Sequence, residues 1–263
     1  MDAASKARAA AETIWSLVGD GKSIAELPAD LRPTNRAEGY AAQERLMAFS
    51  AQPLFGWKIA ATSKAGQEHI QVDGPLAGRL LAERAFGSGA AVSLFGNRMQ
   101  VAEGEFAFRM ARDLAPRGSA YSIDEVVDAV ASLHPAIEVP NSRFQPFEKA
   151  GAAQLIADNA CADYFLLGDA APDSWRGIDL AAYRVTARDG RGASHEGVGS
   201  NVLGSPTIAL AWLVNELSSQ GFTLKAGQVV TTGTCFKPFA IAPGEAVVVD
   251  FGALGRIAAR FTD

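Results

Sequence analysis

Apolar and polar positions alternate in short runs from residue 55 to the C-terminus, and Gly and Pro separate the runs. Alternation with a period of two is typical of β-strands that bury one face. The pattern predicts strands in FGWKIAATS, QVAEGEFAFRM, PAIEVPNSRF, DYFLLGD, AYRVTARDG, QVVTTGTCF, EAVVVDFG and GRIAARF.

Other stretches have the spacing of helices. SKARAAAETIWSLVGDG has an apolar stripe with a helical period, and TNRAEGYAAQERLMAFS repeats it with Thr34 as the predicted N-cap. SIDEVVDAVASL opens with Ser122 and Glu125 in capping-box spacing, and SPTIALAWLVNELSSQG has Ser205 as its cap. Because few helices separate the strands, the pattern predicts an α+β fold rather than a doubly wound sheet. We expect an N-terminal helical segment, residues 1–50, packed on a main domain of residues 51–263.

Composition and charge limit the partners. The chain has 263 residues, of which 48% are hydrophobic and 20% charged, so it can bury one large core. Its net charge of -5 is mild and its basic residues are scattered, which argues against a nucleic-acid or membrane-surface partner. Cys161 and Cys235 lack the spacing of a disulfide framework or a zinc site.

The N-terminal residues lack a basic region followed by an apolar core, and no apolar run approaches the ~20 residues that span a bilayer. We therefore expect a cytoplasmic protein. The sequence also lacks a Walker loop, a dinucleotide fingerprint, a GxSxG elbow and an HExxH motif. The acidic residues with apolar neighbours are the remaining candidates for chemistry.

Glu103 and Glu105 are the first of these acidic residues. Side chains two positions apart in a strand project from the same face, so two carboxylates would lie side by side opposite Phe106 and Phe108. Glu138, in PAIEVP, is a third carboxylate among apolar residues. Three such groups could bind Mg²⁺ or Mn²⁺, or could instead lie at sheet edges in water.

Lys58 and Asp158 are two further candidates. Lys58 lies between Trp57 and Ile59, where burial would suit an acid–base group, although its side chain could also extend into water from a strand end. Asp158, in the stretch IADNACADYFLLG, could belong to a site or simply form a turn.

Five stretches in the same order resemble the 2-keto-4-pentenoate hydratase and 4-oxalocrotonate decarboxylase family. They are GWKIAATSKAGQ, EGEFAF, AIEVPNSR, ADNACADYFLLG and GSPTIALAWLVNELSSQGFTLKAGQVVTTGT. That family belongs to the fumarylacetoacetate-hydrolase-like superfamily. The resemblance implies a mixed β-roll of the fumarylacetoacetate-hydrolase C-terminal type, with N-terminal helices, around a divalent-metal site.

The resemblance also implies roles for individual residues. The implied metal ligands are Glu103, Glu105 and Glu138, and the implied metal is Mg²⁺ or Mn²⁺. The residues implied in proton transfer are Lys58 and Asp158, and the implied substrate contacts are Ser63, Gln67 and Thr234.

The function implied by the resemblance is metal-dependent addition of water to a 2-hydroxy-2,4-dienoate, which gives a 4-hydroxy-2-keto acid in aromatic catabolism. The substrate would be a small 2-keto or 2-hydroxy-dienoic acid, and the protein a homo-oligomer. The alternatives are decarboxylation of a 4-oxalocrotonate-like diacid, hydrolysis of an acylpyruvate and a non-catalytic subunit. The second carboxylate of a diacid would need another cation, for which the candidates are Lys64, Arg79 and Lys237. Leu76 stands where many hydratases of the family carry an Asp, which bears on water addition but leaves the metal site unaffected.

Overall fold

The computed structural model describes residues 1–263, apart from the surroundings of Gly19. Its α-helices are α1 (Ala3–Asp20), α2 (Arg36–Arg45), α3 (Lys64–His69), α4 (Ile123–Val127), α5 (Ala152–Ala157) and α6 (Pro206–Ser219). Its strands are β1 (Leu54–Ala60), β2 (Leu76–Leu81), β3 (Ala85–Gly87), β4 (Ala91–Ser93), β5 (Val101–Met110), β6 (Val130–Val139), β7 (Tyr164–Leu167), β8 (Arg184–Arg188), β9 (Ser194–Val198), β10 (Val229–Thr234), β11 (Phe239–Ala240), β12 (Ala246–Asp250) and β13 (Arg256–Thr262).

The larger sheet is mixed and curls on itself. Its strand order is β2-β1-β10-β5-β6-β7-β3, and β11 also pairs with β5. The pairs β1–β10 and β3–β7 are parallel, whereas the neighbouring pairs are antiparallel. β2 and β3 lie at opposite ends of this order, yet only residues 82–84 separate them in the chain. The two ends therefore come close together, and the sheet forms a roll.

The smaller sheet covers the outside of this roll. Its strand order is β4-β13-β12-β8-β9, and exposed and buried residues alternate along its central strands. Phe251, directly after β12, packs edge-on against Phe106 of β5 with ring centroids 5.0 Å apart. The main core lies here and beneath α1, α2, α5 and α6.

A second, smaller apolar cluster has a different location. Its buried residues are Leu80, Ala107, Ala136, Phe165 and Val229. The strand registers place these residues on the face that also carries Glu105 and Glu138, because directly paired residues project from the same side of a sheet. This cluster therefore fills the inside of the roll below the acidic residues.

The predicted fold class is confirmed: the molecule is α+β, with a mixed β-roll and N-terminal helices. Each of the eight predicted runs overlaps a strand. The prediction did not include β2, β9 or the short strands β3, β4 and β11. The capping box of Ser122 and Glu125 and the cap at Ser205 are also confirmed.

The helix predicted over SIDEVVDAVASL is only partly correct. The helix ends at Val127, and the chain is already in β6 at Val130, which pairs with Met110. The pairing of β6 with β5 overrides the helical tendency of these residues, since tertiary context outweighs local propensity.

The predicted N-cap at Thr34 is wrong by one residue. The side chain of Asn35 accepts the backbone N–H of Glu38 at 2.9 Å, whereas the Thr34 hydroxyl donates to the Glu38 carboxylate at 3.2 Å. α2 packs against α1 and α5. The domain boundary between residues 50 and 51 stays a prediction.

None of the helices in the described residues combines the length and the apolar character needed to cross a membrane.

Candidate active site

The pairing of β5 with β6 brings three carboxylates together. Glu103 pairs directly with Glu138, and Glu105 pairs with Ala136. Directly opposite residues share a face, as do residues two apart in one strand, so Glu103, Glu105 and Glu138 all project into the roll. One carboxylate oxygen of each lies within 4.8 Å of the other two. These three residues form the acidic cluster.

Two oxygen atoms of the acidic cluster have neither a hydrogen-bond partner nor an ion-pair partner. Glu105 and Glu138 are fully buried, and Glu103 is half-buried. Glu105 Oε2 accepts the Gly233 N–H at 2.6 Å and the Thr231 hydroxyl, but Glu105 Oε1 and Glu138 Oε2 are unpartnered. A buried carboxylate oxygen without a partner is costly, and a divalent cation would satisfy it. The all-carboxylate donor set suits Mg²⁺, Mn²⁺ or Ca²⁺.

Burial and mutual repulsion disfavour the ionised carboxylates. Burial raises the pKa of Glu103 and Glu105 to about 7, and in each case a neighbouring carboxylate raises it further while Lys58 opposes the rise. Burial also raises the pKa of Glu138 to about 8, although Lys58 again opposes it. Without a metal, the acidic cluster therefore holds protons near neutral pH. Metal binding would displace them, since a carboxylate must be ionised to coordinate a cation.

Lys58 projects from β1 toward the acidic cluster. Its ammonium lies 2.9 Å from Glu138 Oε1 and donates to the Ala160 carbonyl at 3.1 Å, and the residue is only 3% exposed. Burial alone would lower the pKa of Lys58, but Glu138 and the two other carboxylates outweigh it and hold the pKa above its usual range. Lys58 is therefore a buried cation directly beside the candidate metal site.

Asp158 occupies a different environment. One of its oxygens accepts the Ser142 hydroxyl at 2.7 Å and the Arg143 N–H at 2.9 Å, and the other pairs with the Arg143 guanidinium. Both carboxylate oxygens are thus engaged in fixing the segment that follows β6. The role of Asp158 in proton transfer stays a prediction.

Of the three predicted substrate contacts, Ser63 and Gln67 lie at the start of α3 and within it, and Thr234 ends β10. Ser63 is exposed and caps α3 by accepting the Gly66 N–H at 3.1 Å. Gln67 donates to the Ala61 carbonyl at 3.1 Å, and Thr234, which pairs with Glu105 across the strands, donates to the Phe236 carbonyl at 2.7 Å. Thr234 is therefore adjacent to the acidic cluster. The substrate contacts of all three residues stay predictions.

Thr231 and Gly233 hold Glu105 and were not among the predicted site residues. Their hydrogen bonds to Glu105 span 126 and 128 residues, so no local pattern connects the two stretches. The repeated Thr in TTGT, next to a Gly in a strand, was the available signal. A glycine within a strand often marks a bulge or a close backbone approach.

The three residues predicted as contacts for the second carboxylate of a diacid substrate do not face the acidic cluster in the way that Lys58 does. Arg79 lies on the face of β2 opposite to Gly78, with its guanidinium 4.5 Å from the ring centroid of Trp57 and hydrogen-bonded to Gln43. Lys64 and Lys237 are exposed. Lys58 thus faces the acidic cluster, whereas Arg79, although also buried, does not.

Comparisons with known proteins agree with this geometry. The model of the fumarylacetoacetate hydrolase C-terminal family matches residues 64–262. The chain is 32% identical over 256 residues to 2-keto-4-pentenoate hydratase 1 of Dechloromonas aromatica, covering 96% of each chain. It is 32% identical to 2-hydroxyhexa-2,4-dienoate hydratase of Comamonas testosteroni, covering 83% of this chain and 82% of the other.

A solved structure has nearly the same fold along its whole length. The 4-oxalocrotonate decarboxylase of Pseudomonas putida G7, solved with magnesium and adipate, superposes with a TM-score of 0.88 at 26% identity. The match covers 98% of this chain and 97% of that one. The same decarboxylase was also solved with calcium and acetate.

Proposed function

The chain belongs to the fumarylacetoacetate hydrolase family of enzymes, and from that premise we propose that it is a divalent-metal-dependent hydratase. Its reaction is the addition of water to a 2-hydroxy-2,4-dienoate, giving a 4-hydroxy-2-keto acid in aromatic catabolism. The observation that carries the proposal is the acidic cluster, with two unpartnered buried oxygens beside the buried Lys58.

The proposed metal ligands are Glu103, Glu105 and Glu138, and the proposed metal is Mg²⁺ or Mn²⁺. When bound, the ion supplies Lewis-acid stabilisation of negative charge that develops on the 2-oxygen of the substrate. The three carboxylates more than balance the charge of a divalent ion and leave a net charge of about -1. Lys58 offsets this charge and favours an anionic substrate.

Lys58 is the proposed acid–base residue. Hydration requires a proton at the far carbon of the dienol, and then water at C4 with a proton at C3. The Lys58 ammonium faces the acidic cluster and is shielded from bulk water, and a metal ion held by the three carboxylates would reduce the negative charge that keeps its pKa above the usual range. Asp158 stays a candidate for proton transfer, although both of its oxygens are engaged by Ser142 and Arg143. Ser63, Gln67 and Thr234 are proposed contacts for the remainder of the substrate.

The surroundings of Lys58 favour a substrate with one carboxylate. Lys58 is already engaged by Glu138, and Arg79 is on the opposite face of β2. Leu76 is fully buried and pairs with Ala60, on the face of the sheet that carries Lys58. An apolar side chain at this position suits a neutral substrate end better than a second carboxylate. The relatives named as hydratases of pentenoate and hexadienoate acids support the same choice.

Decarboxylation of a 4-oxalocrotonate-like diacid is the second candidate. The full-length structural match to a 4-oxalocrotonate decarboxylase that was solved with adipate, itself a diacid, favours it. In this chain the second carboxylate would have to reach Lys64 or Lys237, which are exposed. Acylpyruvate hydrolysis and a non-catalytic role are further alternatives.

A parallel assay separates these functions. Purified protein with Mg²⁺ is given freshly generated 2-hydroxypenta-2,4-dienoate in one reaction and 4-oxalocrotonate in the other, with EDTA controls. We expect metal-dependent loss of diene absorbance with 4-hydroxy-2-ketopentanoate as the product, and little release of CO₂ from 4-oxalocrotonate. Release of CO₂ without dienoate turnover would replace the hydratase by the decarboxylase.

We also propose that the protein works in the cytoplasm, and that it is a homo-oligomer, as its resemblance to the hydratase and decarboxylase family implies for the oligomer. Light scattering on the purified protein would give the assembly size. A monomer at micromolar concentration would contradict this proposal.

A further inference from the structure

β2 ends the larger sheet, and its outer edge is covered by side chains instead of another strand. An edge strand exposes N–H and C=O groups that have no ladder partner. Here the Ala77 N–H donates to the Tyr40 hydroxyl at 3.2 Å, and the Ala77 carbonyl accepts from Gln43 Nε2 at 2.8 Å. The Asn159 amide accepts the Arg79 N–H at 2.6 Å and donates to the Arg79 carbonyl at 2.8 Å. One asparagine side chain thus replaces a β-bridge.

Asn159 begins a turn with an uncommon backbone. Asn159, Ala160 and Cys161 have φ values of 57°, 49° and 61°, all in the left-handed region. L-amino acids other than glycine rarely adopt that region, and Asn tolerates it best. The turn is therefore held by its contacts. Asp158 fixes its start through Arg143, and Asn159 fixes it to β2.

The held turn presents one main-chain group to the candidate active site. The Ala160 carbonyl accepts from the Lys58 ammonium at 3.1 Å, and the same ammonium lies 2.9 Å from Glu138. The turn also lies tightly against Gly78, the β2 residue that pairs with Lys58. A Cβ at Gly78 would lie 2.4 Å from the Asn159 carbonyl oxygen and 3.1 Å from the Lys58 side chain.

We infer that Asn159 is a positioning residue for Lys58: by holding the left-handed turn on β2, it fixes the carbonyl that orients the lysine ammonium toward the acidic cluster. The inference rests on the proposed function in that Lys58 transfers the protons. The side chain of Asn159 makes its hydrogen bonds to the backbone of Arg79 and not to the acidic cluster or Lys58.

Gln43, on α2 of the N-terminal segment, also holds β2 and the region around the turn together. Its Nε2 donates to the carbonyls of both Ala77 and Ile156, at 2.8 Å and 2.9 Å. It therefore joins β2 to the end of α5, two residues before Asp158. The N-terminal helices thus take part in fixing the turn that holds Lys58.

The test variant is Asn159→Gly. Glycine adopts the left-handed conformation without strain, so this change removes the two hydrogen bonds to Arg79 and leaves the backbone preference in place. With Mg²⁺ and 2-hydroxypenta-2,4-dienoate we expect kcat to fall by roughly tenfold or more, while KM and the Mg²⁺ dissociation constant change less than about threefold. Asn159→Asp, which keeps the acceptor for the Arg79 N–H, should be intermediate.

Asn215→Ala is the matched control. Asn215 on α6 makes the same pair of bonds, accepting the Tyr121 N–H at 2.8 Å and donating to the Tyr121 carbonyl at 3.0 Å, away from Lys58. Its loss should lower thermal stability without lowering kcat. An equal fall of kcat in both variants would reduce Asn159 to a general structural role and overturn the inference.

A double-mutant cycle shows whether Asn159 acts through Lys58. In the Lys58→Ala background, Asn159→Gly should change the residual kcat by less than about twofold, because the group that it positions is gone. If Asn159→Gly lowered kcat in that background by the same factor as in the wild type, the inference would be contradicted.

A second readout does not depend on activity. Lys58 is buried, whereas the other lysines are exposed or half-exposed, so protein labelled with ¹⁵N at the lysine ammonium should give one slowly exchanging signal, absent in Lys58→Ala. We expect this signal to shift or disappear in Asn159→Gly and to persist in Asn215→Ala. Its persistence in Asn159→Gly, or its absence from the wild type, would overturn the inference. If the wild type turns over no dienoate, the proposed function fails while the signal still decides whether Asn159 positions Lys58.

Discussion

At the scale of single residues, the two oxygens of Glu105 have opposite surroundings. Oε2 accepts from the Thr231 hydroxyl and the Gly233 N–H, whereas Oε1 has no partner. The protein thus fixes the carboxylate through one oxygen and leaves the other free. Outer partners of this kind orient a metal ligand and tune its affinity.

The Thr231 hydroxyl is therefore expected to contribute to metal affinity. Thr231→Val keeps the shape of the side chain but removes the bond to Glu105 Oε2, and we expect Mg²⁺ affinity to fall roughly tenfold. Isothermal titration calorimetry measures this. Thr232→Val is the control, because the neighbouring hydroxyl donates to the Phe106 carbonyl at 3.0 Å and not to a carboxylate. Equal Mg²⁺ affinities in the two variants would contradict this role of Thr231.

The raised pKa values of the acidic cluster also predict how stability depends on pH. The folded-state pKa values of about 7 for Glu103 and Glu105 and about 8 for Glu138 exceed the ordinary value of 4.5, so the folded metal-free protein binds more protons than the unfolded chain. The contribution of these groups to stability is therefore greatest below about pH 4.5 and falls as the pH rises toward 8.

Bound Mg²⁺ should remove this loss, because it stabilises the ionised carboxylates. We expect the gain in Tm on adding saturating Mg²⁺ to increase between about pH 6 and about pH 8.5. Thermal unfolding with and without Mg²⁺ measures it, and Glu103→Gln should reduce the increase. A gain in Tm that does not vary with pH would show that these carboxylates do not exchange protons for the metal.

At the scale of elements, an irregularity in β10 places the two groups that donate hydrogen bonds to Glu105 Oε2. The register against β5 shifts between Thr231 and Thr234, and Gly233 lies in this irregularity with a φ of 104°. A Cβ at Gly233 would lie 2.1 Å from the Thr62 hydroxyl oxygen. The close approach of the β1 and β10 ends therefore requires glycine here.

Gly233→Ala should be severely destabilising. It combines an unfavourable φ with a steric overlap, and we expect a loss of roughly 2–4 kcal/mol in the free energy of unfolding. Gly227→Ala is the control, since Gly227 also has a positive φ of 79° but nothing within 4 Å of its Cβ position. That control should lose about 1 kcal/mol from strain alone. Denaturant unfolding compares the two, and equal losses would show that the contact with Thr62 is unimportant.

The elements also show which patterns can be interpreted without a structure. β8, β12 and β13 were predicted because exposed and buried residues alternate along them, so that each strand buries one face. β2 was missed because all six of its residues are buried, so LAGRLL has no alternation. The end of α4 was misplaced because only the pairing of Val130 with Met110 shows where the strand begins.

At the scale of the whole molecule, the site depends on contacts that are distant in sequence. The positions of Glu103 and Glu105 on one face followed from strand geometry, but their proximity to Glu138 came from a family resemblance and depends on the β5–β6 register. The attachment of Asn159 to the edge of β2 could not be predicted, since its partner Arg79 is 80 residues away in the sequence. The local sequence pattern determines which side chains share a face of a strand. The register and the order of the strands determine which side chains of different strands come together.

The most direct test of the account is Mg²⁺ binding to the intact protein. Isothermal titration calorimetry at about pH 8 compares the wild type with Glu138→Gln, which keeps the volume of the side chain but removes its charge. Glu196→Gln, at an exposed position on β9, is the control. We expect one Mg²⁺ per chain in the wild type and in Glu196→Gln, and an affinity at least roughly 100-fold weaker in Glu138→Gln. Unchanged Mg²⁺ affinity in Glu138→Gln, or no binding to the wild type, would contradict the assignment of the acidic cluster as the metal site.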